Sequence, residues 1–304
     1  MRLTLTFLFL LLTTPCIAAP KIVVSIAPIY SLVSAITEGI SQPQLLLSQG
    51  GSPHSSSLRP SQARAMTEAD LMIWIGPELE SFLTLPVARL LQPNVEMSLL
   101  KLKNLNLLEQ RHGGFWEEDH HTEETAHASQ SINPHIWLSP ENARQIVTSV
   151  CERLIQIDPQ NSKRYTQNLA ALLKRIDQLE LSLHEKLASV RSRPYLVFHD
   201  AYPYLEEAFS LNAIGSIRVS AERAPGARRL QEIRTKARQS AAICLFSEPQ
   251  FSPVLAESLA KETHLKLGVL DPLGNTLNES SDGWFTLMER LAENLVNCLD
   301  EGER

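Results

Sequence analysis

Short apolar runs alternate along this chain with stretches whose apolar residues recur every three or four positions. The first run, Lys21-Ile22-Val23-Val24-Ser25-Ile26-Ala27, reads as a buried parallel strand, since strands covered on both faces are apolar throughout. Pro28 ends it, and Ile29, Leu32, Val33 and Ile36 then set a helical period. Gln44-Leu45-Leu46-Leu47 predicts a second strand, leading into a Gly/Ser/Pro loop. Residues 61–69 read as a helix, and Leu71-Met72-Ile73-Trp74-Ile75 as a strand stopped by Gly76-Pro77. Strands alternating with helices imply a βαβ sheet covered on both faces.

The pattern breaks between residues 109 and 131. Six acids (Glu109, Glu117, Glu118, Asp119, Glu123, Glu124) interleave there with His112, His120, His121 and His127, without apolar periodicity. This predicts a solvated loop that either gathers metal weakly or only adds charge. Asp158-Pro159 then marks a helix start. Leu169, Leu172, Leu173, Ile176, Leu179, Leu183, Leu187 and Val190 form a stripe on one helix over 159–190. At about 1.5 Å per residue that helix spans roughly 48 Å, long enough for a rigid connector. Beyond it the α/β theme repeats, with strands expected at 195–198, 241–246 and 267–270 and a final helix over 284–299. The expected organisation is therefore a first α/β lobe (19–158, with the 109–131 loop), a connecting helix (159–190) and a second α/β lobe (191–304).

The N-terminus changes the picture by fixing a compartment. Arg2, the apolar residues 3–12 and the small-residue stretch Cys16-Ile17-Ala18 predict a signal peptide, 1–18, cleaved after Ala18. Thr13-Thr14-Pro15 is a poor lead-in for lipid attachment at Cys16. No later apolar stretch reaches the about 20 residues of a membrane span, so the expectation is a soluble, exported protein. Losing Arg2 takes the formal charge from −6 to −7, and without a Lys/Arg cluster the chain does not read as a nucleic-acid binder. Three cysteines remain, which allow three pairings. Cys151 sits in a periodic apolar stretch (Ile146, Val147, Val150, Leu154) and is most simply a core residue. That would leave Cys244 and Cys298 to pair, tying a strand to the last helix.

Candidate chemistry lies beside the apolar runs. His54 is in the loop Gly50-Gly51-Ser52-Pro53-His54, and His135 in Asn133-Pro134-His135-Ile136-Trp137-Leu138-Ser139-Pro140. His199 follows Tyr195-Leu196-Val197-Phe198, and Asp271 follows Leu267-Gly268-Val269-Leu270. His199, Glu248 and Asp271 fall at or just past the carboxyl ends of expected strands, where open α/β sheets bind ligands. Three imidazoles and a carboxylate complete a tetrahedral shell for zinc, and a closed shell suits carriage better than hydrolysis. Each residue alone also has a plain structural role as hydrogen-bonder, turn or cap; His184 and His264 are read only that way. The chain has no G-x-S-x-G, H-E-x-x-H, Walker or C-x-x-C motif.

Together these segments resemble the zinc-specific substrate-binding proteins of bacterial ABC importers. The resemblance covers nearly the whole mature chain. It is carried by Leu58-Arg59-Pro60-Ser61, by Ala69-Asp70-Leu71 through Trp74-Ile75-Gly76-Pro77-Glu78-Leu79-Glu80, and by the segment around His135. It continues in Val197-Phe198-His199-Asp200-Ala201-Tyr202, Ser247-Glu248-Pro249-Gln250-Phe251 and Leu270-Asp271-Pro272-Leu273-Gly274. The resemblance implies two similar, mostly parallel α/β lobes joined by one long rigid helix, with a metal site in the cleft between them. It implies His54, His135 and His199 as ligands, with Asp271 or water as the fourth; Pro53 stands where some members carry a ligating Glu. Related manganese carriers have Glu at the position of His199, so His199 argues for zinc. Cys244 and Cys298 match the paired cysteines of zinc-specific members. The 109–131 loop is shorter and richer in Glu than the dense His tract of many members. The implied function is periplasmic Zn²⁺ capture by a monomer, with delivery to an inner-membrane ABC permease and no catalysis. The alternatives are a Mn²⁺ or Fe²⁺ carrier, a surface adhesin, and a zinc hydrolase with Glu248 as base.

Overall fold

A computed structural model describes residues 18–47, 51–54, 56–111, 114–116, 131–218, 225–275, 277 and 279–300. The first half contributes β1 (Ile22–Val24), α1 (Ala27–Ile36), β2 (Gln44–Leu45), α2 (Pro60–Thr67), β3 (Leu71–Trp74), α3 (Thr84–Leu90) and β4 (Glu96–Ser98). Its four strands form a parallel sheet in the order β2-β1-β3-β4. β1 and β3 are buried at every residue, as their unbroken apolar runs require. Fully buried Glu80 ties the strand ends together, accepting from Ser25 Oγ and from the amides of Ile75 and Gly76. Burial pushes its carboxyl up to about 7 against the pull of those three donors.

Next come β5 (Gly114–Phe115), α4 (Pro140–Ile157), α5 (Ser162–Leu187), β6 (Tyr195–Val197), α6 (Pro203–Phe209), β7 (Ala213–Ser216), α7 (Ala227–Gln239), β8 (Cys244–Ser247), α8 (Val254–Thr263), β9 (Lys266–Val269) and α9 (Gly283–Leu299). The second sheet runs β5-β7-β6-β8-β9. Its four parallel strands, β7-β6-β8-β9, repeat the second-first-third-fourth order of the first sheet, so the two lobes are similar. β5, from inside the 109–131 stretch, crosses over and pairs antiparallel with β7.

The long helix differs in detail from its pattern. Residues 159–161 form a 3-10 turn and α5 has 26 residues, about 39 Å at about 1.5 Å each. The Asp158 carboxylate accepts from Tyr165 Oη and Asn161 Nδ2, both at 2.8 Å, and makes no backbone cap. At the other end the chain continues in tight turns (Val190 N to Leu187 O, 3.1 Å) ahead of Pro194, which disfavours helix in the residue before it.

One apolar core runs through both halves, joining α1, β1 and β3 to α4, α5, β6, α6 and α9. Cys244 on β8 is bonded to Cys298 on α9, while Cys151 is a buried free thiol on α4. Gly268 packs beside this disulfide, where a Cβ would come within 2.5 Å of the Phe246 ring and 3.2 Å of Cys298 Sγ. Among the described residues no helix is long and apolar enough to cross a membrane.

Candidate metal centre

The three histidines converge from separate elements. His54 lies in the loop between β2 and α2 and keeps partial exposure. His135 immediately precedes a 3-10 turn, Ile136–Leu138, whose three residues are fully buried. His199 stands two residues past the carboxyl end of β6. His135 and His199 are each 3% exposed, so His54 forms the open side of the site. The ring centroids are 5.5 Å (His54–His135), 5.7 Å (His54–His199) and 5.2 Å (His135–His199) apart. One ligand nitrogen from each ring falls within 4.8 Å of the others.

Neighbouring groups set which nitrogen faces inward. Asn133 Oδ1 stands 2.9 Å from His135 Nδ1 and accepts the His135 amide at 3.1 Å. Glu248 Oε1 stands 2.6 Å from His199 Nδ1 and accepts the His199 amide at 3.2 Å. A carboxylate or carbonyl acceptor at Nδ1 fixes the proton there and leaves the Nε2 lone pair for a metal. Those two Nε2 atoms are 3.3 Å apart. Two nitrogens at about 2.0–2.1 Å from a tetrahedral zinc also stand about 3.3 Å apart. Burial, reinforced by the nearby His199 and His54, holds the His135 ring well below the ordinary imidazole range. It is therefore neutral, the form that ligates.

Asp271 follows β9 but lies outside the three-histidine cluster. Its Oδ1 accepts the amides of Leu273 and Gly274, both at 3.1 Å, which is the turn role of an Asx residue. The segment nonetheless borders the centre. Trp137, two residues after His135, donates its indole N–H to Pro272 O (2.8 Å), and Tyr202 Oη donates to Leu270 O (3.2 Å). Trp284 of α9 donates in turn to Trp137 O (2.9 Å), so the two halves are latched beside the site. His112, His120, His121 and His127 lie outside the described residues. His184 packs against Phe209 and His264 ends α8 in a left-handed conformation, away from the cluster.

The sequence alone assigns no role to Asn133 or Arg111, and marks Glu248 by its place at the ligand-binding strand ends and as the candidate base of a hydrolase. The signal for Glu248 was its place just past β8; Asn133 had only its closeness to His135. Arg111 is the cation of a buried cluster, pairing with Asp200 (2.5 Å) and Glu206 (2.6 Å) and lying 3.5 Å from the Trp116 ring centroid.

Two like α/β lobes with an imidazole cluster outside their strand ends mark a metal-binding protein of the substrate-binding class. Residues 22–298 match the family described as "Zinc-uptake complex component A periplasmic", and the chain belongs to that family. It is similar to the high-affinity zinc uptake system protein ZnuA of Brucella suis biovar 1 (36% identity, 92% of each chain covered) and to that of Yersinia pestis (35%, 95% of each). A crystal structure of ZnuA superposes with a TM-score of 0.78 at 26% identity, covering 93% of this chain and all of that one. A manganese complex of the Pseudomonas aeruginosa protein FpvC (TM-score 0.79, 22% identity, covering 94% of this chain and all of that one) shares the fold.

Proposed function

We propose that this chain captures Zn²⁺ in the periplasm and hands it to the membrane permease of an ABC importer. Zinc is its transported substrate, and the chain is a binding protein, not an enzyme. The observation that carries this reading is the pair of Nε2 atoms 3.3 Å apart, each oriented by an acceptor at Nδ1 and joined by His54 within 4.8 Å. His54, His135 and His199 are the three ligands, and Asp271 closes the shell once its side chain turns inward from its cap. Three imidazoles favour zinc over manganese, which prefers carboxylate-rich shells. Glu248 is engaged with His199 and Gln250, which leaves it orienting a ligand instead of activating water. Residues 1–18 act as the export signal, and 19–158 and 191–304 as lobes joined by 159–190. Continuity of the core and the Trp137–Pro272 latch support small adjustments over wide closure. The protein acts as a monomer.

Calorimetric titration of zinc into the metal-free mature protein tests the reading. The expected result is one tight zinc site, feeble manganese binding, and no change when residues 119–127 are deleted. Preference for manganese, or loss of the tight site with the deletion, overturns it.

Glu248→Gln keeps the size of the side chain but weakens the acceptor at His199 Nδ1. The expected loss of zinc affinity is on the order of 10- to 100-fold, the usual range for partners of metal ligands. Competition with a chromophoric chelator reads it, and unchanged affinity would remove Glu248 from the site.

A further inference from the structure

His135 stands at the middle of a short segment, 133–137, whose two end side chains both reach into the second half of the chain. Asn133 Nδ2 donates to Asp200 O at 2.7 Å, and Trp137 Nε1 donates to Pro272 O at 2.8 Å. Asp200 directly follows His199, and Pro272 directly follows Asp271. Each bond therefore ends on the residue next to a candidate ligand. The carbonyls of the same two residues are held from that half as well. Asn133 O accepts from Tyr204 Oη at 2.7 Å, and Trp137 O accepts from Trp284 Nε1 at 2.9 Å.

All four of these bonds are buried, and Asn133 and Trp137 have no exposed surface. Sliding the segment past His199 would strand these groups away from water, where an unpaired donor or acceptor is costly. The segment is also stiff in itself: Pro134 has a fixed φ, and Ile136–Leu138 form a 3-10 turn. The Trp137 ring lies 5.3 Å from that of His135, and Asn133 Oδ1 faces both the amide and Nδ1 of His135. The 3.3 Å between Nε2 of His135 and Nε2 of His199 is thus held by bonds within the protein. That spacing fits tetrahedral zinc. Mn²⁺ favours a six-coordinate, oxygen-rich shell, and admitting further ligands requires the two histidine segments to part.

We propose that Asn133 and Trp137 are positioning residues that clamp the first-half ligand segment onto the second-half ones and thereby set the preference for zinc over manganese. The inference deepens the zinc-carrier reading and rests on it. A site held ready in this way spends little binding energy on ordering its ligands, and it resists the wider shell of a harder ion.

The test uses three variants of the mature protein. Trp137→Phe removes one donor and leaves every candidate ligand in place. Asn133→Asp keeps an acceptor at His135 Nδ1 and removes the donor to Asp200 O. Tyr204→Phe is the mildest, deleting the hydroxyl that braces Asn133 O. Chelator competition gives zinc and manganese affinities, and the visible absorption of the cobalt-saturated proteins reports tetrahedral coordination. Expected is a zinc-to-manganese affinity ratio that falls roughly tenfold or more in Trp137→Phe and Asn133→Asp, and less in Tyr204→Phe. The cobalt band is expected to weaken in all three. Loss of stability alone, with ratio and spectrum as in wild type, assigns these residues to the fold and overturns the proposal. Should the first two variants not fold, an unchanged ratio and spectrum in Tyr204→Phe overturn it. A wild type that prefers manganese overturns the zinc reading itself, whereas a zinc-preferring wild type with unchanged variants overturns only the clamp.

Discussion

His199→Ala lowers zinc affinity by about a hundred- to a thousandfold, and His135→Ala by a similar factor. A four-ligand zinc shell supplies about 10–16 kcal/mol, so one ligand is worth roughly 3–4 kcal/mol. Both rings are almost fully buried and oriented by neighbours, so little of that is returned by rearrangement. His54→Ala weakens binding less, because its partly exposed position admits water as a replacement. Asp271→Ala has the smallest effect of the four, since its carboxylate first has to give up the amides of Leu273 and Gly274. Competition against a chelator of known affinity orders the four variants. Unchanged affinity in His199→Ala would contradict the assignment.

Arg111→Ala destabilises the folded protein by about 3 kcal/mol, towards the lower end for breaking a buried pair because Arg111 is 28% exposed. The substitution strands two carboxylates, Asp200 and Glu206, whose side chains are 2% and 8% exposed. It also removes the guanidinium packed over Trp116. Burial already pushes the Glu206 carboxyl up to about 7, with Arg111 pulling it down. A folded-state value above the unfolded one means the folded protein holds a proton that the unfolded chain has released. This group therefore favours the folded state most below its ordinary range, and that contribution is lost as pH rises through about 7. Without Arg111 the value climbs further, so the deficit of the variant widens from acid to neutral pH. Urea unfolding on both sides of neutrality measures it, and a deficit independent of pH would contradict the account. Asp200 follows His199 in the chain and its carbonyl accepts from Asn133 Nδ2 at 2.7 Å. The same variant is thus expected to loosen the metal centre.

Much of this architecture is legible in the chain because parallel strands covered on both faces must be apolar at every position. β1, β3, β6 and β8 stand out for that reason, as does α5 through its stripe of buried leucines. β4 (Glu-Met-Ser) and β5 (Gly-Phe) have no such signature; they are short edge strands, defined by a partner found elsewhere in the sequence. The crossing of β5 into the second sheet is equally invisible, since Arg111 and Trp116 find Asp200, Glu206 and Ile214 only after folding. The histidines were marked by their places beside apolar runs and by the family resemblance. What no spacing encodes is which ring nitrogen faces inward. That depends on Asn133 and Glu248 arriving at Nδ1, one from two residues away and the other from 49.

Anomalous diffraction at the zinc edge from crystals of the zinc-loaded mature protein tests the central claim most directly. The account predicts one strong peak about 2.0–2.1 Å from Nε2 of both His135 and His199, with a His54 nitrogen as third ligand and an oxygen completing the tetrahedron. A principal peak elsewhere, or a zinc that lacks His199, would contradict it.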